Sequence, residues 1–135
     1  MRTSRLHPVR DMGMNELEDQ AFAYATSIVK LSRRLSGEIP ASVAGQLVFS
    51  GTAIGAELSE ANSLSDKRSQ LGNFSAARRA SREVQYWLRL IAASEIASEE
   101  TIAPLLDEAR ELNTHLRNLV TRTRLAIDAE RGEAP

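Results

Sequence analysis

Apolar residues recur along this chain at alternating intervals of three and four positions, the spacing that places side chains on one face of an α-helix. Four segments have this pattern, at about 15–35, 41–64, 66–94 and 98–130. The two central segments lack the two-residue alternation of a half-buried strand. Because short links join the four segments, the sequence predicts an all-α fold, an antiparallel up-down-up-down four-helix bundle.

Each predicted helix has one apolar stripe that we expect to face the bundle core. In chain order the stripes are Leu17, Ala21, Tyr24, Ile28, Leu31 and Leu35; Val43, Leu47, Ile54 and Leu58; Leu71, Phe74, Ala77, Ser81, Val84, Leu88 and Ile91; and Leu105, Ala109, Leu112, Leu116, Leu119, Thr123 and Ala126. The stripe of the fourth helix follows a heptad most closely.

Polar residues mark the starts of three predicted helices. Asn15, with Glu18 three residues later, is expected to cap the first helix, because its side chain can accept the free backbone donors of the first turn. Asp66 has the same role for the third helix, and Ser98 or Thr101 opens the fourth.

The two ends of the chain lie outside these patterns. Residues 1–13 carry three arginines and no apolar period, so we expect a flexible N-terminal arm. Residues 131–135 should form a frayed tail, which leaves 14–130 as the bundle domain. A basic arm can contact nucleic acid, but an ordinary terminal arm is the interpretation we favour.

The second predicted helix is crowded with small residues in its middle. Gly51 and Gly55 each lower helix stability by about 1 kcal/mol relative to alanine, so a compensating contact is expected. A missing side chain lets a neighbouring backbone come closer, either within the bundle or across a subunit interface. A membrane dimer motif is disfavoured, because Glu57 and Glu60 follow directly.

Composition narrows the function classes. The 135 residues suit one domain, and the net charge of −1 gives no global field that attracts nucleic acid or an acidic membrane. The chain has no cysteine and no apolar run of the about 20 residues that span a membrane, so we expect a cytoplasmic protein without a membrane partner. Neither His7 nor His115 has a glutamate three positions earlier, and no metal or other cofactor is predicted.

Arginines provide local positive charge. They are densest on the predicted third helix and return on the fourth, at Arg78, Arg79, Arg82, Arg89, Arg117, Arg122 and Arg124. Arginines along a helix can contact phosphates, which makes these residues candidates for nucleic-acid binding. The alternative is a solvated basic face without a ligand, because most charged runs on helices are of that kind.

Tyr86 and Trp87 lie outside the inward stripe of the third helix, beside Leu90. This cluster forms either an exposed patch for a partner or part of a wide core face, and the sequence leaves both open. Glu83 lies one residue before the stripe position Val84, and Glu60 lies near the end of the second predicted helix. A carboxylate there pairs with an arginine or a hydroxyl, or stays solvated; we slightly favour pairing, which is a structural polar role.

Arg110 and His115 form an Arg-x4-His pair, loosely similar to the motif of HEPN ribonucleases. A histidine can act as acid or base while an arginine stabilises a phosphate. Such a pair also arises by chance on an arginine-rich helix, so a ribonuclease is the least favoured hypothesis. We predict no catalytic residue and no enzymatic activity.

Two runs in the middle of the chain carry a family resemblance. They contribute Ser50, Gly51, Thr52, Ile54, Gly55, Ala56, Glu60 and Ala61, and then Ala80, Arg82, Glu83, Tyr86, Trp87 and Leu88. With them, residues 15–120 resemble the four-helix bundle family that includes proteins encoded in 23S rRNA intervening sequences, and also the accessory variability determinant of diversity-generating retroelements. The chain departs from the usual pattern at Glu57, where the family often has asparagine.

The resemblance implies a homo-oligomer, typically a five-membered ring of bundles. For the retroelement relative it also implies contact with nucleic acid and a reverse transcriptase through basic surface. The first hypothesis is therefore a non-enzymatic, ring-forming bundle that binds nucleic acid or a nucleic-acid-handling partner through its arginines. The alternative is a structural scaffold or protein-interaction adaptor that uses the surface around Tyr86, Trp87 and Leu90.

Overall fold

The computed structural model describes residues 12–132, and all regular structure within them is α-helical. The four helices are α1 (Met14–Arg34), α2 (Ala41–Asn62), α3 (Lys67–Ala93) and α4 (Glu99–Gly132). The all-α prediction is confirmed. α4 continues two residues beyond the predicted end of the bundle domain at 130. Residues 1–11 of the predicted arm and 133–135 of the predicted tail lie outside the described residues.

Contacts near the helix ends establish the directions of the helices. Asn62, at the end of α2, donates from Nδ2 to Asn15 Oδ1 (3.2 Å) and Glu18 Oε1 (2.6 Å), near the start of α1. Lys67 Nζ at the start of α3 lies 3.3 Å from Glu130 Oε2 near the end of α4. Each of these two helix pairs is therefore antiparallel, as the short links predict.

Consecutive helices are direct neighbours, and α1 closes the bundle against α4, although the backbones of these two helices approach each other at fewer positions than those of the other three pairs. Within the described chain the diagonal pairs, α1 with α3 and α2 with α4, are not direct neighbours. Asn73 Nδ2 on α3 donates to Glu57 Oε1 on α2 at 2.8 Å, which joins the middle pair. This is the arrangement of a four-helix bundle.

The core lies where the apolar stripes predict it. All stripe residues are buried except Val43, Leu71 and Ala126, which are half-buried. Ile102, Val120 and Ile127 of α4 are also buried and widen its apolar face. None of the four helices, over the part of the chain that the structure describes, is long and apolar enough to cross a membrane.

The start of α1 differs from the prediction. The helix begins at Met14, and the Gly13 N–H donates to Glu16 Oε1 at 3.2 Å. Asn15 is therefore not the capping residue, because the Glu16 carboxylate reaches back to a donor one turn earlier. The side chains of Asn15 and Glu18 instead accept hydrogen bonds from Asn62 of α2.

The predicted caps of α3 and α4 are confirmed. Asp66 Oδ2 accepts hydrogen bonds from Ser69 N (3.1 Å) and Ser69 Oγ (2.8 Å), and these bonds lower the pKa of the Asp66 carboxyl. Ser98 Oγ accepts from Thr101 N at 3.1 Å, one turn into α4. In each case a side-chain oxygen satisfies a backbone donor that the helix itself leaves free.

Candidate functional site

The outward side of α3 carries a row of exposed arginines. Arg68, Arg79, Arg82 and Arg89 follow one another at 11, 3 and 7 residues, so they lie on one side of the helix, roughly opposite the buried Val84. The row extends over about 32 Å of helix. We call this row the basic face. Arg68 belongs to it, although it was not among the arginines predicted from the sequence.

α4 adds arginines along its seam with α3. Ser81 Oγ donates to Asn113 Oδ1 at 3.1 Å, so Ser81 of α3 and Asn113 of α4 lie at the same height along these two antiparallel helices. Arg78 lies one turn before Ser81, and Arg117 lies one turn after Asn113, so the two arginines occupy the same level of the seam. Arg124 lies seven residues beyond Arg117, on the same side of α4.

Two of the predicted arginines have different surroundings. Arg122 lies nine residues after Asn113, about 180° around α4 from the side that meets α3. It therefore does not share a surface with the basic face. Arg78 is half-buried, and its Nε donor is buried with no acceptor in the described part of the chain.

Three of the four arginines of the basic face have no carboxylate partner among the described residues, whereas Arg68 lies near the Asp66 carboxylate. Arg79, Arg82 and Arg89 make no ion pair or side-chain hydrogen bond with another residue between 12 and 132. Glu83 is exposed beside them and forms no such pair either. The face thus combines several unpaired positive charges within a chain whose net charge is −1.

The predicted pairing of Glu60 and Glu83 is not found among the described residues. Both side chains are exposed, and neither accepts a hydrogen bond from, or forms an ion pair with, another residue between 12 and 132. The reason for Glu83 is its position one residue before Val84, about 100° around the helix, which turns the carboxylate away from the core. Both residues form solvated flanks of their helices.

Part of the aromatic cluster on α3 belongs to the core, and part of it forms an exposed patch. Trp87 is half-buried and packs against the core, whereas Tyr86 is 54% and Leu90 37% exposed. The two aromatic rings meet edge to face, with 5.0 Å between centroids and 85° between planes. Trp87 therefore widens the core, and Tyr86 with Leu90 forms a small exposed patch beside it.

The glycines of α2 allow close approach to α1 within the bundle. A Cβ atom on Gly51 would lie 2.8 Å from Ile28 Cγ2, closer than packed atoms come. A Cβ atom on Gly55 would lie 3.6 Å from the Ala21 carbonyl carbon, an ordinary contact distance. At both positions the neighbouring atoms belong to α1 of the same chain: the Ile28 side chain at Gly51 and the Ala21 backbone at Gly55.

Outside this contact, α1 and α2 form an open groove of about 710 Å³. Phe22 and Val29 line it from α1, and Gly55 and Ala56 line it from α2. Phe22 is 73% exposed and Val29 44%. This groove was not predicted from the sequence, although one signal was present: Phe22 and Val29 are large apolar residues outside the stripe of α1.

The seam between α1 and α4 is more polar. Tyr24 is buried and donates from its hydroxyl to the Leu105 carbonyl at 3.0 Å. Burial and the nearby Glu108 raise the pKa of the Tyr24 hydroxyl, while burial and the neighbouring Glu111 raise the pKa of Glu108. The Oε1 atom of Gln20 is buried with no donor among residues 12–132.

This polar seam does not assemble a recognised catalytic group. Arg110 is exposed and lies 3.6 Å from Asp107, whereas His115 is largely buried and lies 3.8 Å from Glu111. Five residues separate the arginine from the histidine, which places them about 140° apart around α4. Between residues 12 and 132, no three His, Cys, Asp or Glu side chains are grouped to hold a metal ion.

These features define a class of protein: a small all-α bundle with an arginine-rich outer face and an apolar groove. The family model for the 23S rRNA-intervening sequence protein matches residues 15–118. The chain belongs to this family, as the resemblance in its two central helices predicts.

A solved structure supports the fold. The chain is similar to the crystal structure of a protein of unknown function from the S23 ribosomal protein family of Bacteroides thetaiotaomicron, with a TM-score of 0.73 and 24% identity. The similarity covers 77% of this chain and 97% of the other. At this identity the likeness establishes a shared fold. A comparison with curated proteins gives no match.

Proposed function

We propose that this chain is a non-enzymatic, homo-oligomeric bundle that binds nucleic acid, or a protein that handles nucleic acid, through the basic face. The observation that carries the proposal is a set of three exposed arginines on the outward side of α3 that make no ion pair with another residue between 12 and 132: Arg79, Arg82 and Arg89. A phosphate backbone meets such a row without displacing an existing carboxylate partner.

Two further features support this proposal. Arg117 and Arg124 extend the positive surface across the α3–α4 seam, so a strand can contact two helices at once. The family takes its name from a sequence within 23S rRNA, which favours RNA as the first probe. A reverse-transcriptase-like protein is the protein partner that the retroelement resemblance implies.

Oligomerisation would strengthen weak phosphate contacts. Several copies of the basic face on one particle bind a long strand at once, which raises the overall affinity without a new contact. The five-membered ring implied by the family resemblance stays a prediction. Light scattering tests it directly, because one chain has a mass of 14.8 kDa. Cytoplasmic location likewise stays a prediction.

The test of nucleic-acid binding is fluorescence anisotropy with a labelled single-stranded RNA over a series of salt concentrations. We expect the affinity of the wild-type protein to fall steeply with salt. The double variant Arg79→Ser/Arg82→Ser should lower the slope of log K against log salt by about 1.4, because each lost phosphate contact on a single strand contributes about 0.7.

The matched control is Arg34→Ser/Arg131→Ser, which removes two exposed arginines away from the basic face. This control should keep nearly the full slope. Equal losses in the two double variants would mean that general charge, and not the basic face, attracts RNA. No binding at low salt would reject the proposal.

The second candidate function is a protein-interaction scaffold, favoured by the exposed Tyr86 and Leu90. Its complexes should survive substitution of the α3 arginines by serine and be lost in Tyr86→Ser/Leu90→Ser. A ribonuclease is less favoured, because the arginine and histidine of the Arg-x4-His pair lie on different sides of α4. Cleavage of RNA that His115→Ala abolishes would reverse this order.

A further inference from the structure

The part of the α3–α4 seam that runs from Ser81 and Asn113 towards the start of α3 has no acidic residue on either helix. α3 has none from 67 to 82, and α4 has none from 112 to 127. Because Ser81 and Asn113 lie at one height on antiparallel helices, the two stretches run side by side over about 22 Å. Together they carry eight lysines and arginines, so positive charge dominates this part of the seam.

Arg78 and Arg117 lie at the rim of this seam. Arg78 precedes Ser81 by three residues, about 60° around α3, and Arg117 follows Asn113 by four residues, about 40° around α4. Ser81 is buried, whereas Arg78 is half-buried and Arg117 is exposed. Since packed helices lie about 8–10 Å apart, both guanidinium groups can reach one small ligand between the helices.

These two arginines hold donors that the chain itself does not use. The Nε–H of Arg78 is buried and has no acceptor among residues 12–132, and its side chain makes no ion pair there. Arg117 makes no ion pair or side-chain hydrogen bond within the same residues. A buried donor without an acceptor costs free energy, and two guanidinium groups at one height repel each other. An anion between them would remove both costs.

Asn113 adds a neutral donor at the same place. Its Oδ1 atom accepts from Ser81 Oγ at 3.1 Å, and its Nδ2 amide donates to no other residue that the structure describes. A guanidinium group binds two oxygens of a phosphate at once, and an amide can donate to a third. A tetrahedral phosphate has enough oxygens for this set of donors, whereas a carboxylate has only two.

We infer that Arg78, Arg117 and Asn113 bind one phosphate group at the α3–α4 seam, with the buried Nε–H of Arg78 among its donors. We call these three residues the phosphate site. This inference rests on the proposed function in one respect, that the phosphate belongs to a strand of nucleic acid. The exposed basic face can contact a strand at many positions, whereas a partly buried site holds one phosphate in a fixed position.

The first test uses inorganic phosphate and NMR spectroscopy of the full chain labelled with ¹⁵N. The Nε–H signal that is absent in Arg78→Lys identifies Arg78. It should shift with added phosphate until the site is saturated, and chloride at the same ionic strength should not move it. Lysine keeps the charge but has no Nε–H and no planar fork, so Arg78→Lys should bind phosphate about tenfold more weakly. The side-chain amide signal of Asn113 measures binding in both proteins.

A second variant changes the site with little change in shape. Asn113→Asp keeps an acceptor for Ser81 Oγ but places a carboxylate where the phosphate would lie. It should abolish the phosphate-dependent shift of the Arg78 signal. Asn118→Asp is the matched control, because it makes the same change on α4 about 140° around the helix from Asn113. This control should bind phosphate as the wild type does.

The labelled RNA of the anisotropy assay tests whether the phosphate belongs to a strand. Arg78→Lys should bind RNA about tenfold more weakly at every salt concentration, with an unchanged slope of log K against log salt, because the charge is kept. Serine variants of the basic face should lower that slope instead. Arg34→Lys, at an exposed position on α1, is the matched control and should bind RNA as the wild type does. Circular dichroism checks that every variant folds.

The outcomes separate this inference from the proposed function. An Arg78 Nε–H signal that phosphate does not shift would overturn the phosphate site, whatever RNA does. Phosphate binding with equal RNA affinity in the wild type and Arg78→Lys would mean that the site binds a free phosphate, and would overturn its assignment to a strand. Phosphate binding by a protein that binds no RNA would reject the proposed function and leave a site for a free phosphate.

Discussion

Helix α1 packs against its two neighbours in contrasting ways. Against α2 the seam is tight, because Gly51 faces Ile28 without a side chain between the helices. Against α4 the seam is held by Tyr24, whose hydroxyl reaches the Leu105 carbonyl at 3.0 Å. The backbones of α1 and α4 also approach each other at fewer positions than those of α1 and α2.

The difference shows how the side chains at a seam set the separation of two helices. Where glycine stands, two backbones approach and the contact is apolar. Where tyrosine stands, a ring and a hydrogen bond fill a wider space, and polar atoms such as Gln20 Oε1 are buried nearby. We therefore expect added side-chain volume at the α1–α2 seam to change the free energy of unfolding. At the α1–α4 seam, loss of a hydrogen bond or a change of charge should do so.

The largest effect is expected at Gly51. The substitution Gly51→Val should lower the free energy of unfolding by about 3 kcal/mol, because even a Cβ atom there would lie 2.8 Å from Ile28 Cγ2. Urea denaturation monitored by circular dichroism measures the change. In the same background Ile28→Ala should recover part of the loss, although it is destabilising in the wild type.

The next effect is expected at Tyr24 on the opposite seam. Tyr24→Phe removes the donor to the Leu105 carbonyl and should lower the free energy of unfolding by about 1 kcal/mol. Tyr86→Phe is the matched control, because that ring is exposed and its hydroxyl makes no hydrogen bond with another described residue. Equal effects of the two substitutions would mean that the Tyr24 hydrogen bond does not hold the seam.

Gly55 lies on the same seam as Gly51 but should give the opposite sign. A Cβ atom at Gly55 would lie 3.6 Å from the Ala21 carbonyl carbon, which needs no movement of either helix. Gly55→Ala should therefore raise the free energy of unfolding by about 0.5–1 kcal/mol, because alanine restricts the unfolded chain and favours helix. A decrease in the urea midpoint would show that this part of the seam is tighter than the structure indicates.

The smallest effect is expected at Glu108, where it should depend on pH. Burial and Glu111 raise the pKa of Glu108 above its ordinary value of 4.5, so the folded state holds the proton more tightly than the unfolded state. The stability contributed by the protonated carboxyl is present below pH 4.5 and is lost as the pH rises through the folded-state pKa.

The substitution Glu108→Gln tests this dependence, because glutamine resembles the protonated carboxyl. The variant should have a higher melting temperature than the wild type at pH 7, and the difference should vanish at low pH. Glu60→Gln, at an exposed position, controls for the removal of one negative charge. A difference that persists at pH 3 would reject ionisation of Glu108 as the cause.

The helices, their order and most of the core could be predicted from the sequence. The stripes of α1 and α3 show why: apolar residues at three- and four-residue intervals must share one helix face, whatever the helix packs against. The caps at Asp66 and Ser98 are also local, since a side chain bonds a backbone donor three residues away. The cap of α1 was misplaced because two candidate oxygens, on Asn15 and Glu16, lie next to each other.

The candidate surfaces could be predicted only in part. The arginines of α3 were found because they cluster in the sequence, but Arg68 was not, since it lies three turns before the others. Arg122 was predicted to bind nucleic acid because it lies close to Arg117 and Arg124 in the sequence, although its position around α4 separates it from Arg117. The pairing expected for Glu83 was not found, because a shift of one residue turns a side chain by about 100°.

The sequence by itself determined that this protein has four helices with one buried face each, because helical period and capping depend on residues within a few turns. Only the tertiary structure decided which outward residues share a surface. Phe22 and Ala56 line one groove because α1 and α2 pack side by side, in a register that places Gly51 against Ile28. Arg78 and Arg117 lie at the same level of the α3–α4 seam because Ser81 donates a hydrogen bond to Asn113 across it. Both outcomes depend on the register between helices, which residues far apart in the sequence establish by packing.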